Sequence, residues 1–424
     1  MAAMNRKSLE SPPRSRQVLS LSLRAVIALL AALPAANAED LGAKRFTLRG
    51  FGTVGVTTQN TDGIEFRRNV GQGQGVAAGD IELYTDSIAG VQFNATLNSR
   101  LDVVVQGVSR MRADGDWSTE LSQGFVRYSP DESLVLRAGR IGYDIYLLAE
   151  SRQVGYSYLA IRPSPDFYGL VANDEIDGLD VAYTRRLGPG LVRARLFGGR
   201  GPGEIAFADG TRQNSDSDIY GAALDYLYRG WTARVAMVHF RYDTGPEIGL
   251  LAAGLNMTGV PQSVAIAGEL DHATLNTLGF QFGVAYDDGP LQAQILYGIA
   301  DSDSIAGPDF NNLYALFGYR VRDFTPFVSF ASSDNRESIR STGLPDIPMF
   351  APLNGAVYGI QSSLRSSQHT ASAGVRYDFS SHFDLKLQID RVSVRDSALI
   401  FDRRSPPGGP TEMTVFAAAV DFVF

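Results

Sequence analysis

The chain has 424 residues, with 38 Lys+Arg against 46 Asp+Glu and no cysteine. The acidic balance argues against a nucleic-acid binder, whose affinity comes from neutralising phosphates. The missing cysteine excludes a disulfide framework and any thiolate metal site.

Residues 1–38 are predicted to be a secretory signal. Arg6, Lys7, Arg14, Arg16 and Arg24 supply a basic start, with Met4 an alternative first residue. Residues 25–33 form an apolar core too short to span a bilayer, and Pro34 breaks it. Ala36-Asn37-Ala38 is a small-residue cleavage site ahead of Glu39. Residues 39–424 are then expected to be one domain, since no linker, internal repeat or low-complexity tract interrupts them. The signal holds five of the basic and one of the acidic residues, so the remainder carries a net charge of −12. Lys7, Lys44 and Lys386 are the only lysines. Almost every cation is thus an arginine, which suits fixed, permanently charged positions on a wall.

Beyond the signal, no stretch approaches the roughly 18–20 consecutive apolar residues of a membrane helix. Mean hydropathy is −0.06, a value also given by a barrel in which half of each strand faces water. In chain order the pattern predicts sixteen strands, at 46–57, 91–97, 101–110, 119–128, 134–139, 178–186, 191–198 and 219–228, then 231–242, 275–286, 291–300, 312–320, 324–332, 370–379, 384–394 and 414–424. Alternation is clean in several of them. Within 275–286, Leu278, Phe280, Phe282, Val284 and Tyr286 take one face, and Thr277, Gly279, Gln281, Gly283 and Ala285 the other. Seven links are tight turns rich in Gly, Pro, Asp and Ser; eight are longer, at 58–87, 111–118, 140–177, 199–218, 243–274, 301–311, 333–369 and 395–413. Long and short links alternate, and aromatics (Tyr128, Tyr228, Trp231, Tyr286, Tyr377, Phe379, Phe424) gather beside the short turns. An even number of strands, long loops on one side, short turns on the other and an aromatic girdle are the signature of an all-β, 16-stranded antiparallel transmembrane β-barrel.

The last eleven residues, TVFAAAVDFVF, put Phe416, Ala418, Val420, Phe422 and Phe424 on one face and end on an aromatic. This end resembles the C-terminal assembly signal of outer-membrane barrels. With 46–55 (FTLRGFGTVG), 87–95 (SIAGVQFNA), 136–140 (LRAGR), 175–184 (EIDGLDVAYT), 374–379 (GVRYDF) and 384–388 (DLKLQ), the chain resembles the Gram-negative porins, the trimeric 16-stranded diffusion channels. The resemblance implies a Gram-negative outer-membrane location, contact with lipid and lipopolysaccharide, recognition of Phe424 by the barrel-assembly machinery, a homotrimer, and passive passage of small hydrophilic solutes and ions. It implies no cofactor, no metal and no enzymatic role. Glycines 50, 52 and 55 and Ala417–Ala419 would give a smooth patch where the first and last strands meet.

A sixteen-stranded barrel keeps an aqueous channel, because its side chains cannot fill it. The porin resemblance implies that the third long loop, 141–177, folds inward and narrows the channel against a ladder of wall arginines. On the loop the candidates are Asp144, Glu150, Asp166, Tyr146 and Tyr156. On the wall they are Arg140, carried over from the Gly-Arg motif, Arg137 in the same motif, and Arg193, Arg195, Arg234 and Arg49, assigned inward by parity. Arg137 and Arg140 have opposite parity, so both reach the lumen only if Gly139 marks a bulge. Alternatives are a substrate-specific sugar or organic-acid channel of 16 or 18 strands, and a non-conducting adhesin or receptor barrel. An enzymatic barrel would need a rim cluster among His239, His272, His369 and His382, and no G-x-S-x-G or H-E-x-x-H motif accompanies them.

Overall fold

The protein is described by a computed structural model over residues 45–147, 151–243, 245–270, 274–404 and 409–424; the expected signal and Glu150 lie outside these. The strands are β1 (Phe46–Gln59), β2 (Ile64–Phe66), β3 (Ile88–Asn98), β4 (Leu101–Met111), β5 (Trp117–Tyr128), β6 (Leu134–Gly142) and β7 (Glu175–Leu187). They continue as β8 (Gly190–Gly201), β9 (Glu204–Ala206), β10 (Arg212–Asn214), β11 (Ser217–Tyr228), β12 (Trp231–Asp243), β13 (Thr274–Asp288) and β14 (Leu291–Ser302). The last are β15 (Phe310–Tyr319), β16 (Phe324–Asn335), β17 (Ser366–Ser380), β18 (Phe383–Ser397), β19 (Ile400–Asp402) and β20 (Thr411–Val423). Helices α1 (Pro165–Tyr168), α2 (Pro246–Met257), α3 (Pro261–Leu270) and α4 (Ala351–Ser362) all lie in long links.

Sixteen strands close into one antiparallel barrel, each paired with its chain neighbours and β1 sealed to β20. Each strand read from the sequence overlaps one of these, so the count is sixteen and the eighteen-strand alternative is overturned. The long links are less simple than loops. β2 pairs with β19, tying the first long link to the last above the β1–β20 seam. β9 and β10 form a hairpin. Helices α2, α3 and α4 pack together through Leu251, Leu255, Ile266, Leu270 and Val357.

One face of the barrel exposes Leu179, Leu196, Tyr220, Val235, Phe282, Ile295, Val328 and Leu387. So wide an apolar surface marks contact with a non-aqueous medium. At its short-turn edge lie Trp231 against Tyr286 (ring centroids 4.7 Å) and Phe324 stacked on Tyr377 (4.5 Å). At the long-loop edge of the same face, neighbouring strands bring Arg140, Asp177, Arg200, Asp218 and Arg241 into one row of alternating charge.

The seam departs from the expected smooth patch. The Gly50 N–H donates to the Phe424 carbonyl (2.9 Å) and the Phe424 N–H to the Gly50 carbonyl (3.0 Å). The Phe424 ring covers Gly50 and the Phe422 ring covers Gly52, so a Cβ at either glycine would overlap an aromatic ring. These glycines serve close packing of terminal aromatics across the seam.

Candidate functional site

The polar face of the barrel meets one segment, residues 143–174, around much of its circumference. Tyr143 packs on Phe197 of β8 and Phe240 of β12 (6.0 and 6.4 Å between centroids). Ile161 N–H donates to Gln388 of β18 (2.8 Å), and Asn312 of β15 donates to the Phe167 carbonyl (3.1 Å). Arg376 of β17 donates to the Tyr156 carbonyl (2.7 Å). Gly155 sits against Thr53 of β1 and Asp421 of β20, where a Cβ would collide with both. β1 and β12 stand eight strands apart in the ring of sixteen, so the segment reaches opposite walls.

Three groups of buried charge make these contacts. In the first, Asp144 accepts from Arg234 (2.6 and 3.1 Å) and pairs with Arg195 (2.9 Å). Arg234 also donates to Asp225 (2.6 and 2.8 Å) and to the Tyr146 carbonyl (2.5 Å). Arg195 lies 3.8 Å from Asp180, which takes a bidentate contact from Arg137. Arg193 stands across the β8–β11 pair from Asp225. Alternation forces this grouping: Arg137, Arg193, Arg195 and Arg234 share the side opposite Leu179, Leu196 and Val235.

In the second group Arg162, 1% exposed, donates to Asp86 (2.7 and 2.6 Å) and to Asp390 (2.9 Å). Its guanidinium lies over the Phe66 ring (4.9 Å). In the third, fully buried Lys386 pairs with Asp421 (2.9 Å) and donates to the Gly155 and Ala160 carbonyls (2.7 and 3.2 Å). Asp384, paired with Arg376 (3.1 Å), adjoins it on the same strand. Buried ions this numerous persist only when paired and hydrogen-bonded, since an orphaned partner leaves a costly desolvated charge. Nearby, Arg152 and Arg110 hold Asp174. Burial alone would raise that carboxyl, but the two guanidiniums keep it well below the usual carboxylate range.

The expected residues therefore divide. Asp144, Tyr146, Arg137, Arg193, Arg195 and Arg234 come together. Tyr156 lies under Arg376 (4.6 Å), with its hydroxyl on the Ser381 carbonyl (3.1 Å). Asp166 is buried beside Thr370 and Gln368, and burial pushes its carboxyl up to about 7. Arg140 departs from expectation: it bonds Asp177 (2.7 and 2.6 Å) on the outer face, with Leu179. Gly139 does adopt φ +128°, but the pairing of β6 keeps its register through Ala138, Gly139 and Arg140, so parity sends Arg137 and Arg140 to opposite sides. Arg49 is exposed at the short-turn end, opposite Gln92. The second and third groups were signalled by Asp384, Lys386 and Asp390, which share one parity of their strand opposite Leu385, Leu387 and Ile389. Their partners across the chain, Asp86 and Asp421, carried no local sign. Of the described histidines, His239 and His369 lie on the outer face of different strands and His382 in a short turn.

No protein-family model matches the chain, and no curated protein does. Solved structures do. The chain is similar to outer-membrane-expressed OmpT of Vibrio cholerae, 11% identical, covering 91% of this chain and 100% of that one, with TM-score 0.51. It is similar to Salmonella typhi OmpF in complex with daunomycin, 13% identical, covering 89% and 97%, with TM-score 0.52. An anion-selective porin from Comamonas acidovorans is 14% identical, covering 89% and 99%, with TM-score 0.51. The chain has the fold of the outer-membrane porins. At these identities the likeness is one of fold, carried by a closed sixteen-stranded barrel with an apolar outer band. Together they make this a Gram-negative outer-membrane β-barrel protein.

Proposed function

We propose that the protein is a channel for passive diffusion of small hydrophilic solutes and ions. Segment 143–174 is its inward-folded third loop, crossing the lumen, and selectivity arises where that loop meets the wall arginines. The observation that carries this reading is the set of contacts from one segment to strands on opposite walls, above all Asp144 on Arg195 and Arg234 and Arg162 on Asp86 and Asp390. A segment so held divides the lumen. A cavity of about 1140 Å³ lies on the long-loop side, and another of about 720 Å³ on the short-turn side, lined by Tyr156, Arg320, Arg322 and Arg376. The alternating charges disfavour apolar solutes at the narrow level and orient polar ones. A homotrimer is part of the same proposal. Single-channel recording of the refolded protein in a planar bilayer tests it. Stepwise conductance, grouped in threes, is the expected result; an inserted but silent protein would overturn the reading in favour of a receptor barrel.

A further inference from the structure

The larger cavity does not have the lining expected for freely diffusing hydrophilic solutes. Its wall is mostly apolar, contributed by Phe240, Tyr242, Ile248, Leu251, Phe310 and Ile360 from the barrel, α2 and α4. Phe240 and Tyr242 lie nearly parallel there, 6.0 Å apart at 10°. The volume of about 1140 Å³ is at the upper end of small-molecule sites. Within this wall sits Gln281, 3% exposed, with neither its amide nitrogen nor its amide oxygen hydrogen-bonded. A buried amide in that state is stabilised by a ligand that supplies a donor or an acceptor.

The charged residues lining the cavity are of one dominant sign. Asp209, Asp216, Asp243 and Glu247 face it against a single guanidinium, Arg212, already paired with Glu204 (3.0 Å). An apolar body would be held by the aromatic and aliphatic wall, and a positive head by the carboxylates and aromatic faces. An anion would meet like charge.

We propose that this cavity is a binding site for organic cations with an aromatic or similarly apolar body, which the barrel collects before passage. The proposal rests on the channel reading and narrows it, by giving a nominally general pore a preferred solute class. Phenethylammonium is a suitable probe, with phenylacetate of the same size and opposite charge as control. Gly359 of α4 lines the cavity, and a side chain there would meet nothing within 4 Å of its Cβ. Gly359→Trp therefore adds bulk at the cavity wall with no clash at its Cβ.

The test is current through the full barrel in a planar bilayer, with each probe added on the long-loop side. The expected result is block or added noise from phenethylammonium at a concentration at least tenfold below that needed for phenylacetate. Gly359→Trp is expected to weaken that block at least tenfold, and Gln281→Ala to weaken it severalfold. Equal action of the two probes, or block indifferent to Gly359→Trp, would overturn the proposal. If the barrel inserts and passes no current, the channel reading fails by itself. Saturation-transfer NMR of phenethylammonium with the detergent-solubilised protein then decides the site: transfer lost in Gly359→Trp supports it, and no transfer to the parent protein refutes it.

Discussion

Replacing Arg162 by leucine should release the segment from the wall. Arg162 lies between Asp86 and Asp390, with contacts of 2.6 to 2.9 Å, and all three side chains are buried. Leucine removes the guanidinium over Phe66 and strands two carboxylates. Removing one partner of a buried ion group costs about 3–5 kcal/mol. Applied to docking of the segment, that is a shift of roughly 10²- to 10⁴-fold towards the detached form. The barrel's own hydrogen-bonded ladder is untouched, so the loss should appear in the segment and not in the strands. Limited trypsin digestion reads this directly. Cleavage after Arg152 should accelerate at least tenfold, while resistance of the barrel to unfolding in dodecyl sulfate stays that of the parent; single channels should become larger and noisier. The triple change Arg162→Leu, Asp86→Asn, Asp390→Asn removes the stranded charges and should recover most of the protection. A single variant with parental digestion and conductance would refute the reasoning, as would a triple variant no better than the single one.

Other consequences follow from the same contacts. Asp144→Asn leaves Arg234 with Asp225 and Arg195 with Asp180 while removing their shared carboxylate, so reversal potentials in a salt gradient should move towards anions; an unmoved potential would place Asp144 away from the permeation path. Asp166, raised from 3.8 to about 7 by burial, keeps in the fold a proton that the unfolded chain has lost. Its contribution is full below 3.8 and is lost as pH rises through 7. Asp166→Asn should thus be more heat-stable than the parent above pH 7 and should flatten the stability slope between those values; a parental slope in pH-dependent melting would contradict this. Gly50→Val sets a branched side chain into the Phe424 ring. Overpacking of this kind costs about 1–3 kcal/mol, and heat-modifiability on gels should show an earlier loss of the closed barrel.

The barrel was legible because its strands obey one local rule. Each alternates between a lipid side and a water side, and the turns between them are short enough for Gly, Pro and Asp to mark. Parity also groups Arg193, Arg195 and Arg234 on one side of the sheet. Arg140 was assigned from a motif and not from the alternation of its own strand, where Leu179 across the pair marks the outer face. Asp86 and Asp390 meet at Arg162 only once the β1–β20 seam has closed, whereas Asp421 reaches Lys386 across the directly paired β18 and β20. Helices α2 to α4 escaped notice for another reason. They are short, flanked by Gly and Pro, and bury their apolar positions against one another, so no periodic contrast with water was there to be read.

The row of Arg140, Asp177, Arg200, Asp218 and Arg241 on the outer face crosses five adjacent strands in register, near their long-loop ends. An arginine drawn to the middle of a bilayer costs about 2–4 kcal/mol, and three of them move together because the strands are bonded into one sheet. The row therefore acts as a collar. It sets how deep the cylinder can sink, and since it girds one flank, it also resists leaning towards that flank. The aromatic edge at the other end limits travel the opposite way. The barrel's depth in the membrane is thus set by residues of its outer surface alone.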